Sequence, residues 1–186
     1  MDSQLQPLGV VLAGGAGARL GGSKPTVELG GRPLISYPLA AFADAGIEAV
    51  VVAKAQSELP ALDVPVVMEP AEPTHPLLGL ITAIEHANGR PVVASPCDTP
   101  FVTPTLLAAL ATAPATAAVR EAGRVHPLLA RYEPTDLAAL RRGLAAGDSA
   151  TATAEVLSPV LIEAGPGETF NVNSPADLDA AAARLT

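Results

Sequence analysis

The chain has 186 residues, a formal net charge of −8 and 49% hydrophobic residues, with aromatics at only 3% and no tryptophan. That composition excludes a disordered chain and is enough for a sizeable core in a single domain spanning 1–186. Acidity and the lack of stacking platforms exclude a general nucleic-acid partner, and the lone Cys97 excludes an intramolecular disulfide.

No apolar run reaches membrane-spanning length, and residues 1–9 lack the basic region of a signal peptide. A soluble, cytoplasmic setting without a membrane partner is therefore expected.

The first predicted strand, Leu8–Leu12, empties into a loop that carries Gly14, Gly15, Gly17, Gly21 and Gly22 together with Arg19 and Lys24. Glycines let the backbone approach a ligand closely, and the exposed N–H groups then face anionic oxygens. Arg19 and Lys24 supply the positive charge a triphosphate needs. The loop matches neither the Walker A pattern, since Ser23-Lys24-Pro25 follows Gly22, nor the G-x-G-x-x-G fingerprint, since Ala18-Arg19-Leu20 follows Gly17. Set against the phosphate reading is an ordinary strand-to-helix turn.

A helix is expected over Leu34–Ala45, with Pro33 at its first position and Gly46 after its last; Pro38 predicts a kink or a delayed start. Strands Ala49–Ala53 and Val64–Met68 precede a proline-rich loop, Glu69–Pro76, and a helix Leu77–Ala87. The apolar strand Pro91–Ser95 runs into Pro96-Cys97-Asp98-Thr99-Pro100. A carboxylate there lies at the carboxyl end of a buried parallel strand, where Asp98 could hold Mg²⁺, a cation that prefers oxygen ligands. Its alternative is an Asx-turn before Pro100.

Beyond it come a helix Pro104–Ala111 with Thr103 as N-cap, strands Thr116–Val119 and Pro127–Tyr132, and helices Thr135–Ala145 and Thr151–Leu157. His126 adjoins a strand with Arg124 and Arg131 nearby and could donate to phosphate or exchange protons; the other reading is a structural histidine. The run Phe170-Asn171-Val172-Asn173-Ser174 puts the amides of Asn171 and Asn173 on one side if it is extended, or serves only to cap the last helix, Pro175–Arg184, through Asn173 or Ser174. Strand–helix alternation with continuously apolar strands predicts an α/β protein: a three-layer, doubly wound, mostly parallel sheet. The loops after Leu12, Ala53, Met68 and Ser95 would then surround one crevice.

The segments LAGGAGARLGGSKP, GGRPL, PCDTPF, HPLLA and FNVNSPADL, in that order along nearly the whole chain, resemble the molybdenum cofactor guanylyltransferase (MobA-type) family. The first marks the wider nucleotidyltransferase superfamily; PCDTPF and FNVNSPADL point to the molybdopterin branch. The resemblance implies a Rossmann-like nucleotidyltransferase fold and transfer of GMP from GTP to the terminal phosphate of molybdenum-bound molybdopterin, with release of pyrophosphate. It implies Mg²⁺ as cofactor, and a molybdopterin-delivery protein or a molybdoenzyme as partner. By motif match, Leu12, Ala13, Gly14 and Gly15 line the nucleotide site, Arg19 and Lys24 contact the triphosphate, and Asp98 binds the metal. Glu69 corresponds to the family's acidic nucleotide-site residue, and Asn171 and Asn173, with His126, fall on the acceptor side.

The chain departs from the family pattern at Ser23, in place of an Asp, at Ala53-Lys54, in place of an N-A-N segment, and at His75-Pro76-Leu77-Leu78-Gly79, in place of a GPLAG turn. The last two lie where base recognition is expected. The competing readings are a cytidylyltransferase on the same cofactor, a transferase on another phosphorylated acceptor, and a non-catalytic nucleotide-binding protein.

Overall fold

A computed structural model describes residues 5–15 and 24–185. The first apolar run forms β1 (Leu8–Leu12), at the expected bounds. A short hairpin follows, β2 (Glu28–Leu29) with β3 (Arg32–Pro33), and then α1 (Ser36–Asp44), β4 (Ala49–Lys54), β5 (Val66–Glu69) and α2 (Pro76–His86). The chain continues through β6 (Val92–Pro96), α3 (Pro104–Thr112), β7 (Ala117–Glu121), β8 (Arg124–Tyr132), α4 (Leu137–Ala146), α5 (Ala150–Leu157), β9 (Val160–Glu163) and α6 (Pro175–Leu185).

The sheet has seven strands in the order β5-β4-β1-β6-β8-β7-β9. It is parallel throughout except for β8, which runs antiparallel to both β6 and β7. The reason for the reversal is local. Ala122 and Gly123 both take positive φ, 48° and 82°, and close a two-residue hairpin turn that can only return antiparallel. The expected mostly parallel, doubly wound sheet is the one observed.

Pro33 does not open a helix: it lies in β3, and α1 starts three residues later at Ser36. Pro38 then falls in the first turn, where its missing N–H breaks no intrahelical bond, so the delayed start is the outcome. Thr103 caps α3 as expected, accepting from Leu106 N–H at 3.2 Å. Ser174 does the same for α6, accepting from Asp177 N–H at 3.2 Å.

Alternation along the strands sorts the core onto two faces. Val10, Val50, Val52 and Ala94 pack with α2 and with Leu140 of α4. Val11, Val51, Ala53 and Val93 pack with Phe42 of α1 and with Leu106, Leu107 and Leu110 of α3. Each fully buried Val or Leu contributes about 1.5–3 kcal/mol, which compensates for the shortage of aromatics. The chain leaves β1 through α1 on one face and returns to β6 through α2 on the other. That crossover at β1 opens a crevice at the carboxyl ends of the strands.

A third, smaller core closes the crevice from the C-terminal side. Leu29, Leu34, Val172 and Ala181 are buried together against Phe101, Phe170 and Leu178. The Arg184 guanidinium lies 3.7 Å over the Phe101 ring and 5.6 Å from the centre of Phe170. Cation–π attraction thus ties α6 to the turn after β6 and to the segment before Asn171.

Candidate active site

A cavity of about 360 Å³ sits at the strand ends and is lined by Leu12, Gly14 and Gly15 of the first loop, Lys24, Lys54, Glu69 and Asp98. The loops after β1, β4, β5 and β6 do surround one crevice. A second cavity, of about 570 Å³, opens beside it under Arg124, His126 and Thr151. Pro96, Leu128, Asn171 and Asn173 form walls common to both.

A compact charged centre in the first cavity is tied to that common wall. Lys24 Nζ donates to Asp98 Oδ2 and to Asn173 Oδ1, each at 2.6 Å, and Asn171 Nδ2 donates to Asp98 Oδ1 at 3.0 Å. Both amides reach the same Lys24–Asp98 pair, and between them Val172 N–H bonds back to the Asp98 carbonyl at 2.9 Å. Asp98 is 6% exposed, so its charge is compensated by these partners rather than by water.

The same turn explains Cys97. Its thiol is buried, and burial, reinforced by the Asp98 charge, pushes it far above the ordinary range. It is a packing residue and not a nucleophile at neutral pH.

The opposite end of the first cavity is built by strand register. Lys54 ends β4, Glu69 ends β5, and the two are cross-strand partners. Both share the face that carries Val52 and Val67, toward α2. The Glu69 carboxylate is wedged against two glycines: a Cβ on Gly14 would run into its Oε1, and a Cβ on Gly79 would stand 3.1 Å from its Oε2. Burial raises the Glu69 carboxyl above its ordinary value of 4.5, and the Lys54 charge pulls in the other direction. Lys54 Nζ instead straps the loop after β5, donating to Ala71 O at 2.7 Å and to Thr74 Oγ1 at 3.1 Å.

Of the other residues named from sequence, His126 lines the second cavity with Asn171 and Asn173. Its imidazole is held below the ordinary value of 6.5, mainly by burial and then by Arg124, with Glu121 opposing. Ala13 is 1% exposed, turns to the α1–α3 face and spends its N–H on Val52 O and its carbonyl on Ser57 Oγ, so it does not line the cavity. Arg19 lies outside the described residues.

Sequence reasoning marked Ala53-Lys54 only as a departure from the family pattern and missed Glu121. Lys54 had a signal, a basic residue terminating an apolar strand. Glu121 had none, since its role depends on the hairpin. Its carboxylate accepts from Gly167 N–H, from Thr169 N–H at 3.1 Å and from the Thr169 hydroxyl, and so anchors the segment that delivers Asn171. Those bonds, the Thr169 hydroxyl first, hold the Glu121 carboxyl below its ordinary value.

Among the described residues, no group of three or more His, Cys, Asp or Glu is arranged to hold a metal. An ion at Asp98 would therefore take its remaining ligands from amide oxygen, substrate and water. That is the habit of Mg²⁺, which binds through one or two carboxylates plus phosphate oxygens. The oxygen set of Asp98 and Asn173 fits such an ion, and the Lys24 ammonium already occupies a cation's place between them.

Residues 9–158 match the model of the MobA-like NTP transferase domain. The chain belongs to this family. Among its MobA-like relatives, the molybdenum cofactor guanylyltransferase of Acidiphilium cryptum is 33% identical over 193 residues, covering 94% of this chain and 93% of that protein. The protein of the same name from Cereibacter sphaeroides is 31% identical over 179 residues, covering 91% and 92%. The fold is shared with molybdopterin-guanine dinucleotide biosynthesis protein A from Archaeoglobus fulgidus, at a TM-score of 0.76, 21% identity and coverage of 96% and 98%. It is also shared with 2-C-methyl-D-erythritol 4-phosphate cytidylyltransferase from Thermus thermophilus, at a TM-score of 0.71, 22% identity and coverage of 96% and 98%. Among the described residues, no helix is long and apolar enough to cross a membrane.

Proposed function

We propose that this MobA-like transferase moves GMP from GTP to the terminal phosphate of molybdenum-bound molybdopterin and releases pyrophosphate. The observation that carries the reading is the Lys24–Asp98 pair of the first cavity, bonded through Asn171 and Asn173 to the wall that this cavity shares with a second, one cavity for each polyanionic substrate. Relatives about 30% identical over most of the chain bear the name molybdenum cofactor guanylyltransferase, which supports the choice of nucleotide and acceptor.

In this reading the nucleotide fills the first cavity, its phosphates against Gly15 and Lys24 and its base toward Gly14 and Glu69. Arg19, in the same glycine-rich loop, adds a second cation for the triphosphate. The acceptor lies in the second cavity, beside Asn171, Asn173 and His126, with its phosphate directed at the common wall. An acceptor phosphate oxygen attacks the α-phosphorus, and the bond from that phosphorus to the bridging oxygen of the β-phosphate breaks. The electron pair leaves with pyrophosphate. Because the nucleophile is already an anion, no general base is needed. The barrier is repulsion between two polyanions, which Lys24 and backbone N–H groups lower by neutralising charge, and orientation supplies much of the rest.

Asp98 and Asn173 would hold Mg²⁺, which when bound neutralises phosphate charge and acts as a Lewis acid. His126, kept neutral by its burial, would donate one ring N–H to the acceptor without adding charge. The setting is cytoplasmic, and a molybdopterin-delivery protein or a molybdoenzyme is the expected partner.

Pyrophosphate release from GTP, CTP, ATP and UTP with Mg²⁺ and molybdenum-loaded molybdopterin tests the reading. Release from GTP at least tenfold above the others is expected. Preference for CTP would overturn the base assignment and favour the cytidylyl alternative, and tight nucleotide binding without release would favour a non-catalytic role.

A further inference from the structure

Of the segment from His126 to Ala130, the transfer chemistry uses only His126. The three residues after it interrupt the sheet. Register between β7 and β8 passes from Ala118–Ala130 directly to Val119–His126, so Pro127, Leu128 and Leu129 bulge out of β8 with no cross-strand partner on β7. On the other side, β6 meets only Ala130, Arg131 and Tyr132. Proline has no N–H to give to a ladder and suits such a place. The bulge is also a piece of wall. Leu128 lines both cavities, and His126, Pro127 and Leu129 line the second.

What holds the bulge comes from further along the same strand. Tyr132 is 2% exposed, in the core on the α2–α4 face, and Leu128 packs against that same core. The Tyr132 hydroxyl reaches back five residues and donates to Pro127 O at 2.7 Å. Burial, and then the Asp136 charge, raises this hydroxyl above its ordinary value of 10.0, so it stays protonated and keeps its one donor. A phenylalanine ring would fill the same core without the bond. The oxygen is therefore not required by packing, and its partner is the backbone next to His126.

With no cross-strand partner opposite, the Pro127 carbonyl has the Tyr132 hydroxyl as its donor. Deprived of it, the carbonyl must turn to water or stay unsatisfied, and a buried acceptor left without a partner is costly. The peptide that turns carries Leu128 on one side and follows His126 on the other. We infer that Tyr132 is a positioning residue for the acceptor: its hydroxyl fixes the bulge that aims His126 into the second cavity. Tyr132 touches no substrate itself and acts only through the backbone of Pro127. The inference rests on the proposed assignment of the second cavity to the acceptor and deepens it. Bulges beside active sites commonly re-aim a side chain in this way.

Tyr132→Phe removes the hydroxyl and keeps the ring, and two measurements on the full chain test it. In the ligand-free protein the His126 ring is followed by proton NMR as pH is varied, its signal assigned against those of His75 and His86. Burial and then Arg124 hold the wild-type ring below 6.5, with Glu121 opposing. A loosened bulge admits water to the ring, so in Tyr132→Phe it should titrate higher, toward 6.5. In steady-state pyrophosphate release, KM for molybdenum-loaded molybdopterin should rise at least fivefold while KM for GTP changes less than twofold. An unchanged His126 titration, an equal shift of both KM values, or failure of the variant to fold would each confine the hydroxyl to holding the core and overturn the inference. Failure of the guanylyl reading shows separately, as a wild type that releases no pyrophosphate from GTP, and the His126 titration then still decides whether the hydroxyl aims that ring.

Discussion

Lys24 Nζ lies 2.6 Å from Asp98 Oδ2, a contact between residues 74 apart in sequence, and the same ammonium touches Asn173 Oδ1 at 2.6 Å. One side chain thereby binds the first loop, the turn after β6 and the segment before α6.

Asp98→Asn keeps the size of the side chain and removes its charge. Turnover with GTP and molybdenum-loaded molybdopterin should fall about 10²-fold or more, the scale seen when a group that stabilises transition-state charge is lost. Circular dichroism and the melting temperature should stay close to wild type, because the new amide oxygen can still accept from Lys24 while the Asn171 amide turns over so that its Oδ1 accepts from the new N–H. Near-normal turnover at saturating Mg²⁺ would remove Asp98 from the metal role.

Lys24→Met should have two opposed effects. Binding of GTP should weaken at least tenfold for want of the triphosphate's counter-charge. Binding of Mn²⁺, used as a spectroscopic substitute for Mg²⁺, should tighten several-fold without nucleotide, since the ammonium no longer holds the oxygens of Asp98 and Asn173. Unchanged Mn²⁺ affinity by electron paramagnetic resonance would show that ion and ammonium occupy different places.

Glu69→Gln should stabilise the ligand-free protein while weakening GTP binding. The folded-state carboxyl is raised above 4.5 by burial, so ionising it destabilises the fold as pH climbs past the folded value. Gln carries no such penalty. The melting-temperature difference should be absent near pH 4 and grow toward pH 7; for a chain of this length, 1 kcal/mol moves the melting point by about 2–4 °C. A difference that is flat with pH would refute this account of Glu69.

Glu121→Ala should raise the KM for the acceptor several-fold and leave GTP affinity within twofold, because it frees the segment before Asn171 without touching the nucleotide cavity. The loss of stability should be about 1 kcal/mol at neutral pH, three bonds to a partly solvated carboxylate. The folded carboxyl is lowered, so this contribution is present above the ordinary value of 4.5 and disappears as pH falls through the folded value. A variant that weakens GTP as much as acceptor would contradict it.

Much of the architecture was legible in the sequence because long apolar periods announce buried elements. The bounds of β1 came out directly, and α2, α3 and α6 began within a residue of expectation; for the last two, Thr103-Pro104 and Ser174-Pro175 are strong start signals, whereas Pro76, read as the end of a loop, is the first residue of α2. The two-residue strands β2 and β3 are too short for any period, and β9 is a four-residue edge strand whose apolar side chains remain partly exposed. The reversed direction of β8 was hidden because Ala122-Gly123 is a poor advertisement for a turn that needs two positive φ values. In the site, Asp98 and the two Asn residues were readable from their motifs. The pairing of Lys54 with Glu69 was not, because it depends on a cross-strand register that no local pattern encodes.

The Val172 N–H to Asp98 carbonyl bond has a consequence for biogenesis. Every strand of the sheet precedes residues 171–173 in the chain, yet the ring of partners around Asp98 closes only when these last residues are in place. A nascent chain, or a fragment cut before Phe170, would carry the glycine-rich mouth without the amides that align its charges. Such an incomplete molecule could bind nucleotide but would have little capacity to consume it.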